Sequence, residues 1–141
     1  MNCQSMNESR KYLYEFFQIL NKMENKMLSA IITDNITINF IRAMVSHHQA
    51  AIYMCQNLLR FTHYESLEEI ARNIISNQTK EISEMREVAI TTSEYSNSRR
   101  DVNLYEKSFF CITKQMICRM RNALRSNDIN LNFVDEMIPH H

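Results

Sequence analysis

Apolar residues recur every three or four positions along four long stretches, the period of a helix with one buried face. In the first, Leu13, Phe16, Phe17, Leu20, Met23, Met27, Leu28 and Ile31 share a stripe, and Ser5-x-x-Glu8 is a capping box upstream. This predicts a helix over residues 6–32. Thr33-Asp34-Asn35 is a break built from capping residues. A second stripe carries Phe40, Met44, Ala51, Cys55, Leu58 and Leu59, to about residue 61. Ser66-x-x-Glu69 opens a third, with Leu67, Ile70, Ala71, Ile74, Ile75, Ile82, Met85 and Val88, to about residue 92. After a polar loop, a fourth runs over 99–125 with Val102, Tyr105, Phe109, Ile112, Met116, Met120 and Leu124. Ser126-Asn127-Asp128 breaks it, and a partial fifth helix starts at Ile129. Long amphipathic helices with short connections predict an all-α, antiparallel four-helix bundle with one core and this short fifth helix at its C-terminus.

Composition sharpens the picture. The 141 residues include no Gly and one Pro, where average usage would give roughly ten and seven. Glycine-dependent hairpins and phosphate-cradling loops are therefore excluded. Sixteen basic and sixteen acidic residues cancel, so no basic excess supports a nucleic-acid partner. No apolar run approaches membrane-spanning length, and no signal-peptide core is visible, so no membrane partner is expected. The expected compartment of the chain as given is the cytoplasm, or an exported one if a leader has been trimmed. Cys3, Cys55, Cys111 and Cys118 show no Cys-x-x-Cys spacing and read as reduced core thiols.

Shifting the chain by 93 residues without a gap gives 14 identities in 44 positions. Tyr12 falls on Tyr105, Phe16-Phe17 on Phe109-Phe110, and Met23 and Met27 on Met116 and Met120. Ile36, Asn39 and Phe40 fall on Ile129, Asn132 and Phe133; Met44 falls on Met137, and His47-His48 on His140-His141. This predicts a duplication within one helical bundle, residues 5–97 being a complete copy and 98–141 a truncated one. A fragment of a longer protein is the expectation that follows. Apolar surface left by the truncated half would favour homo-oligomers.

At 100° per residue, Met44, His47, His48, Ala51, Met54 and Cys55 share an arc of about 120°. Two imidazoles and two thioethers within a few turns suit a soft metal ion, thioether sulfur favouring Cu(I). On the third helix Gln78 and Glu81, followed by Met85, are candidates to partner the histidine N–H groups and fix their tautomer. The competing expectation is plainer: methionines as core filler, and a histidine paired with a glutamate, in a structural or interaction bundle with no metal. The Glu-x-x-His pairs of a di-iron bundle, His-Glu-x-x-His and the nucleophile elbow are all absent, so an enzyme is not expected.

The segment Phe40-Ile-Arg-Ala-Met44-Val-Ser-His47-His48, with the later Gln78-x-x-Glu81-x3-Met85 and Phe133-Val-Asp-Glu-Met137-Ile-Pro-His140-His141, resembles bacterial domain-of-unknown-function family 305 over residues 36–90 and 129–141. Ala50 stands where that family usually has Gly. The resemblance implies a ferritin-like four-helix bundle and, for some members, copper binding or resistance. The metal ligands it implies here are Met44, His47, His48, Met54 and Met85, with Met137, His140 and His141 in the second copy. The function expected is a non-enzymatic bundle that buffers or chaperones copper or another soft metal.

Overall fold

The computed structural model describes residues 3–123 and 125–141, with side chains from Asn7 onward. It is all-helical among these residues: α1 (Cys3–Leu28), α2 (Ile36–Leu59), α3 (Glu65–Thr91), α4 (Arg99–Arg121) and α5 (Ile129–His140). Helix α1 already runs through Ser5, so that residue does not mark the helix start as its capping box predicted; the Cys3 thiol and the Leu124 end of the fourth stripe lie outside the described residues.

The punctuation explains the boundaries. Asn35 caps α2 by accepting from the Ile38 amide at 3.0 Å, and Ser98 caps α4 by accepting from Asp101 at 3.1 Å. Asp128 caps α5, accepting from Asn130 and Leu131. The expected capping role of Ser66 is not realised. Tyr64 holds the N-cap position of α3 without a side-chain cap, and Ser66 lies inside the first turn. The first helix also ends four residues early, at Leu28, because Thr33, Asn35 and Asn39 organise the turn beyond it. Ile31, read as part of the buried stripe, is exposed there.

That turn occurs twice. The Asn39 amide accepts from Thr33 N at 3.0 Å and donates to Thr33 O at 2.7 Å. Ninety-three residues on, the Asn132 amide accepts from Ser126 N at 2.8 Å and donates to Ser126 O at 2.9 Å. Thr33 Oγ1 accepts from Asn35 N and Ser126 Oγ from Asp128 N in the same way. Both asparagines are buried, so each amide finds its hydrogen-bond partners in the loop backbone. Asn132→Leu is expected to leave those groups unpaired and cost about 2–4 kcal/mol in urea unfolding, whereas an exposed control such as Asn103→Leu should stay within about 0.5 kcal/mol.

The helix arrangement differs from the simplest reading. Helix α1 packs on α2 and α4, and α5 packs on α4 and α2, so these four close a ring. Helix α3 lies outside it, packed chiefly on α2. The short fifth helix is thus a full member of the ring, and the third is the outlier. The burial pattern gives the reason. Asn132, Phe133, Glu136, Met137 and His140 of α5 are all buried, a dense i, i+3, i+4 stripe, whereas only Leu67, Ala71 and Ile82 of the much longer α3 are. Ile70 and Val88, expected on the buried stripe of α3, are exposed.

Tyr12, Phe16, Leu20, Met23 and Met27 of α1 meet Ala51, Met54, Cys55 and Leu58 of α2, Ile117 and Met120 of α4, and Phe133 and Met137 of α5 in one core. Each large side chain fully buried there contributes roughly 1.5–3 kcal/mol. Arg125 closes the end of α4: its guanidinium donates to Ala123 O and Met120 O while covering the rings of Phe16 and Phe17. Cys55 is buried, but Cys111 and Cys118 are exposed, contrary to a core role for all the thiols. They occupy the face of α4 opposite Thr113, Ile117 and Met120.

Candidate functional site

Where α2 crosses the last turn of α5, His47 and His140 stack face to face, ring centroids 3.7 Å apart and planes 18° from parallel. Their hydrogen bonds are reciprocal. His47 Nε2 donates to His140 O at 2.8 Å, and His140 Nε2 donates to His47 O at 3.1 Å. A carbonyl oxygen only accepts, so each Nε2 carries a proton. Burial pushes the His47 imidazolium down to about 4, its bond to the His140 carbonyl opposing and neighbouring His48 and His141 assisting. Burial and the adjoining His47 hold His140 well below the ordinary histidine range. Both rings are therefore neutral at pH 7, with the proton on Nε2 and a bare lone pair on Nδ1. Each of these Nδ1 atoms is buried and has no hydrogen-bond partner.

The outer pair extends the row. His48 lies 5.8 Å from His47 and His141 lies 5.3 Å from His140, measured between ring centroids. His48 Nε2 meets Glu81 Oε2 of α3 at 2.8 Å, and Gln78 Nε2 donates to the same oxygen at 3.1 Å. His48 Nδ1 is likewise buried and unpartnered. His141 turns Nδ1 toward Met137 O at 3.0 Å.

The four histidines, Glu81 and Gln78 are thus brought together. The methionines are placed differently. Met44 stands one turn before His47 and His48, partly buried against the core, and Met137 holds the matching place before His140 and His141. Met54 is seven residues beyond His47, about 10 Å along the helix axis, and lies in the core beside Cys55 and Leu58. Met85 is half-buried one turn beyond Glu81 on α3. Among the described residues no three His, Cys, Asp or Glu side chains converge as a metal-holding group. The donors that do remain are the buried Nδ1 atoms of His47, His48 and His140, with Met44 and Met137 one helical turn before the two histidine pairs.

One buried pair escaped the sequence reading. Tyr12 donates its hydroxyl to Glu136 Oε2 at 2.7 Å, with Glu136 completely buried and its Oε1 unpartnered. Burial pushes the Glu136 carboxyl up to about 8, opposed by the Tyr12 hydrogen bond and the Arg125 charge. The same burial, with Glu136 beside it, drives the Tyr12 phenol far above its ordinary value. The signal was available: Glu136 shares a face with Phe133, Met137 and His140, and it falls on Ala43 in the 93-residue register. Elsewhere, a groove of about 740 Å³ between α1 and α2 is lined by Glu15, Lys22, Lys26, Tyr53 and Arg60, among others, and contains none of the histidines.

A family model described as a domain of unknown function, DUF305, matches residues 6–89, which is more than half of the chain and covers α1 to α3. The chain belongs to the DUF305 family. The DUF305 match takes in α1, which the motif resemblance did not, and leaves the 129–141 segment outside its range. No curated protein and no solved structure matches the chain. No helix among the described residues is long and apolar enough to cross a membrane.

Proposed function

We propose that this DUF305 protein is a non-enzymatic, ferritin-like four-helix bundle that binds Cu(I) or a comparable soft ion at the crossing of α2 and α5. The supporting observation is the set of buried, unpartnered Nδ1 atoms on His47, His48 and His140. A buried lone pair with no donor is costly, and a bound cation is one way to satisfy it. His47 and His140 would supply nitrogen, and Met44 and Met137 sulfur. Glu81 and Gln78 would hold His48 in orientation. The role proposed for these residues is to hold the ion and shield it from solvent. Buffering or handing on the ion is the role this implies.

Titration of the apo-protein with Cu(I) against a competing chelator is expected to show one ion withdrawn per chain. His47→Ala with His140→Ala should weaken that affinity at least 100-fold. Met44→Leu with Met137→Leu, which conserves volume, should weaken it at least tenfold while the fold is retained. Equal chelator competition by wild type and both double variants would end the proposal.

A second reading has its own support. Both buried rings already donate through Nε2 to carbonyls of the opposing helix, which makes them a clamp between α2 and α5 without any ion. Thermal melts separate the two. A specific ligand raises the midpoint with concentration, and a midpoint indifferent to Cu(I) would favour the clamp alone.

A further inference from the structure

Positions 93 residues apart occupy matching places in the ring, but their outer faces are not equally covered. On α2, Ile41 is 7% exposed, and Ile38 and Val45 are partly buried. Their counterparts on α5 stand open: Val134 is 40% exposed, Leu131 57% and Ile138 70%. The difference is α3, which packs chiefly on α2 and has no comparable packing on α5. The polar edge repeats the asymmetry. His48 is met by Glu81 of α3 at 2.8 Å. Its counterpart His141 bonds only the Met137 carbonyl of its own helix, and no carboxylate faces it among the described residues.

We infer that the Leu131, Val134 and Ile138 face of α5 is a docking surface for a partner helix of α3's chemistry: an amphipathic helix with aliphatic residues at i, i+3/i+4 and i+7 and a glutamate placed to meet His141. The occupant is specified by the covered half of the same fold. Helix α3 offers Leu67, Ala71, Ile74, Ile75 and Ile82 as its apolar stripe, with Glu81 beside it for the imidazole. Three exposed aliphatic side chains in a row on one helix form a contiguous apolar strip bordered by a hydrogen-bonding histidine, the pattern of helix-in-groove recognition. The inference stands apart from the metal reading, since it needs neither a bound ion nor a change at His47.

The test uses a labelled peptide of residues 65–91 as the probe, titrated into the protein. Free, such a peptide is only marginally helical, so binding should raise its helicity together with its anisotropy. The expected result is saturable binding with amide shift changes centred on Leu131, Val134 and Ile138. Val134→Asp with Ile138→Asp should weaken it at least tenfold, and Glu81→Ala in the peptide should weaken it severalfold. Both substituted positions are exposed, so the variant should keep its circular dichroism; Ile138→Glu alone serves if it does not. No saturable binding, full binding by the double variant, or shift changes confined to α2 (exchange with the resident α3) would overturn the inference. So would concentration-dependent self-association through α5 that excludes the peptide, since the face would then belong to a second copy of the chain.

Discussion

Glu136→Gln is expected to stabilise the protein at pH 9 by about 3–5 kcal/mol and to change little at pH 4. The carboxyl ionises near 4.5 when exposed and near 8 in the fold. A raised acid leaves stability intact below the unfolded value. As pH climbs from 4.5 to 8, the folded state must hold a proton that the unfolded chain has released, so stability falls across that window at about 1.4 kcal/mol per pH unit. Above 8 the loss is complete and the curve flattens. A neutral amide of the same shape removes the linkage while it can still accept from Tyr12. Urea unfolding of both proteins from pH 4 to 9 reads the difference directly. Parallel curves would show that Glu136 is not held protonated by its surroundings.

The acid side of the curve belongs to the histidine stack, with the opposite sign. His47 ionises near 6.5 when exposed and near 4 in the fold, and burial likewise holds His140 well below its ordinary value. Their stabilisation is complete above 6.5 and is lost as pH falls toward 4, because the unfolded chain takes up protons the buried rings refuse. His47 alone accounts for about 3 kcal/mol of this loss. Between 4.5 and 6.5 two rings oppose one carboxyl, so the net slope is upward with pH, and the wild-type maximum is expected near pH 6.5. His140→Phe keeps an aromatic surface against His47 but removes one titrating site and one hydrogen bond. Its cost of about 1–3 kcal/mol at pH 7 should shrink toward pH 4, where the native histidine is itself destabilising. A cost that grows on acidification would mean that the rings are charged in the folded state.

Much of the architecture was legible because the helix periods are long and the break residues are specific. Asn35 and Asp128, both in breaks read from the sequence, cap α2 and α5. The period could not say which four helices form the ring. Apolar stripes on α3 and α5 look alike in sequence, and their rank depends on which partner each stripe finds. For the same reason Phe40 and Ile112 hold stripe positions yet lie exposed. Met-x2-His-His spacing twice over drew attention to these histidines from the sequence alone. It could not reveal that the two His-His pairs, 93 residues apart, meet, because that contact exists only once α2 and α5 cross. Glu136 shares a face with Phe133, Met137 and His140, but its partner could not be read from the sequence, because Tyr12 lies 124 residues away on α1.

Long-range ¹H–¹⁵N correlation of the imidazoles at pH 7, before and after one equivalent of Cu(I), tests the account most directly. It predicts Nε2–H tautomers with unprotonated Nδ1 on both His47 and His140, and a shift of those Nδ1 resonances when the ion is added. Protonated Nδ1 in the apo-protein, or Nδ1 signals unmoved by Cu(I), would contradict it.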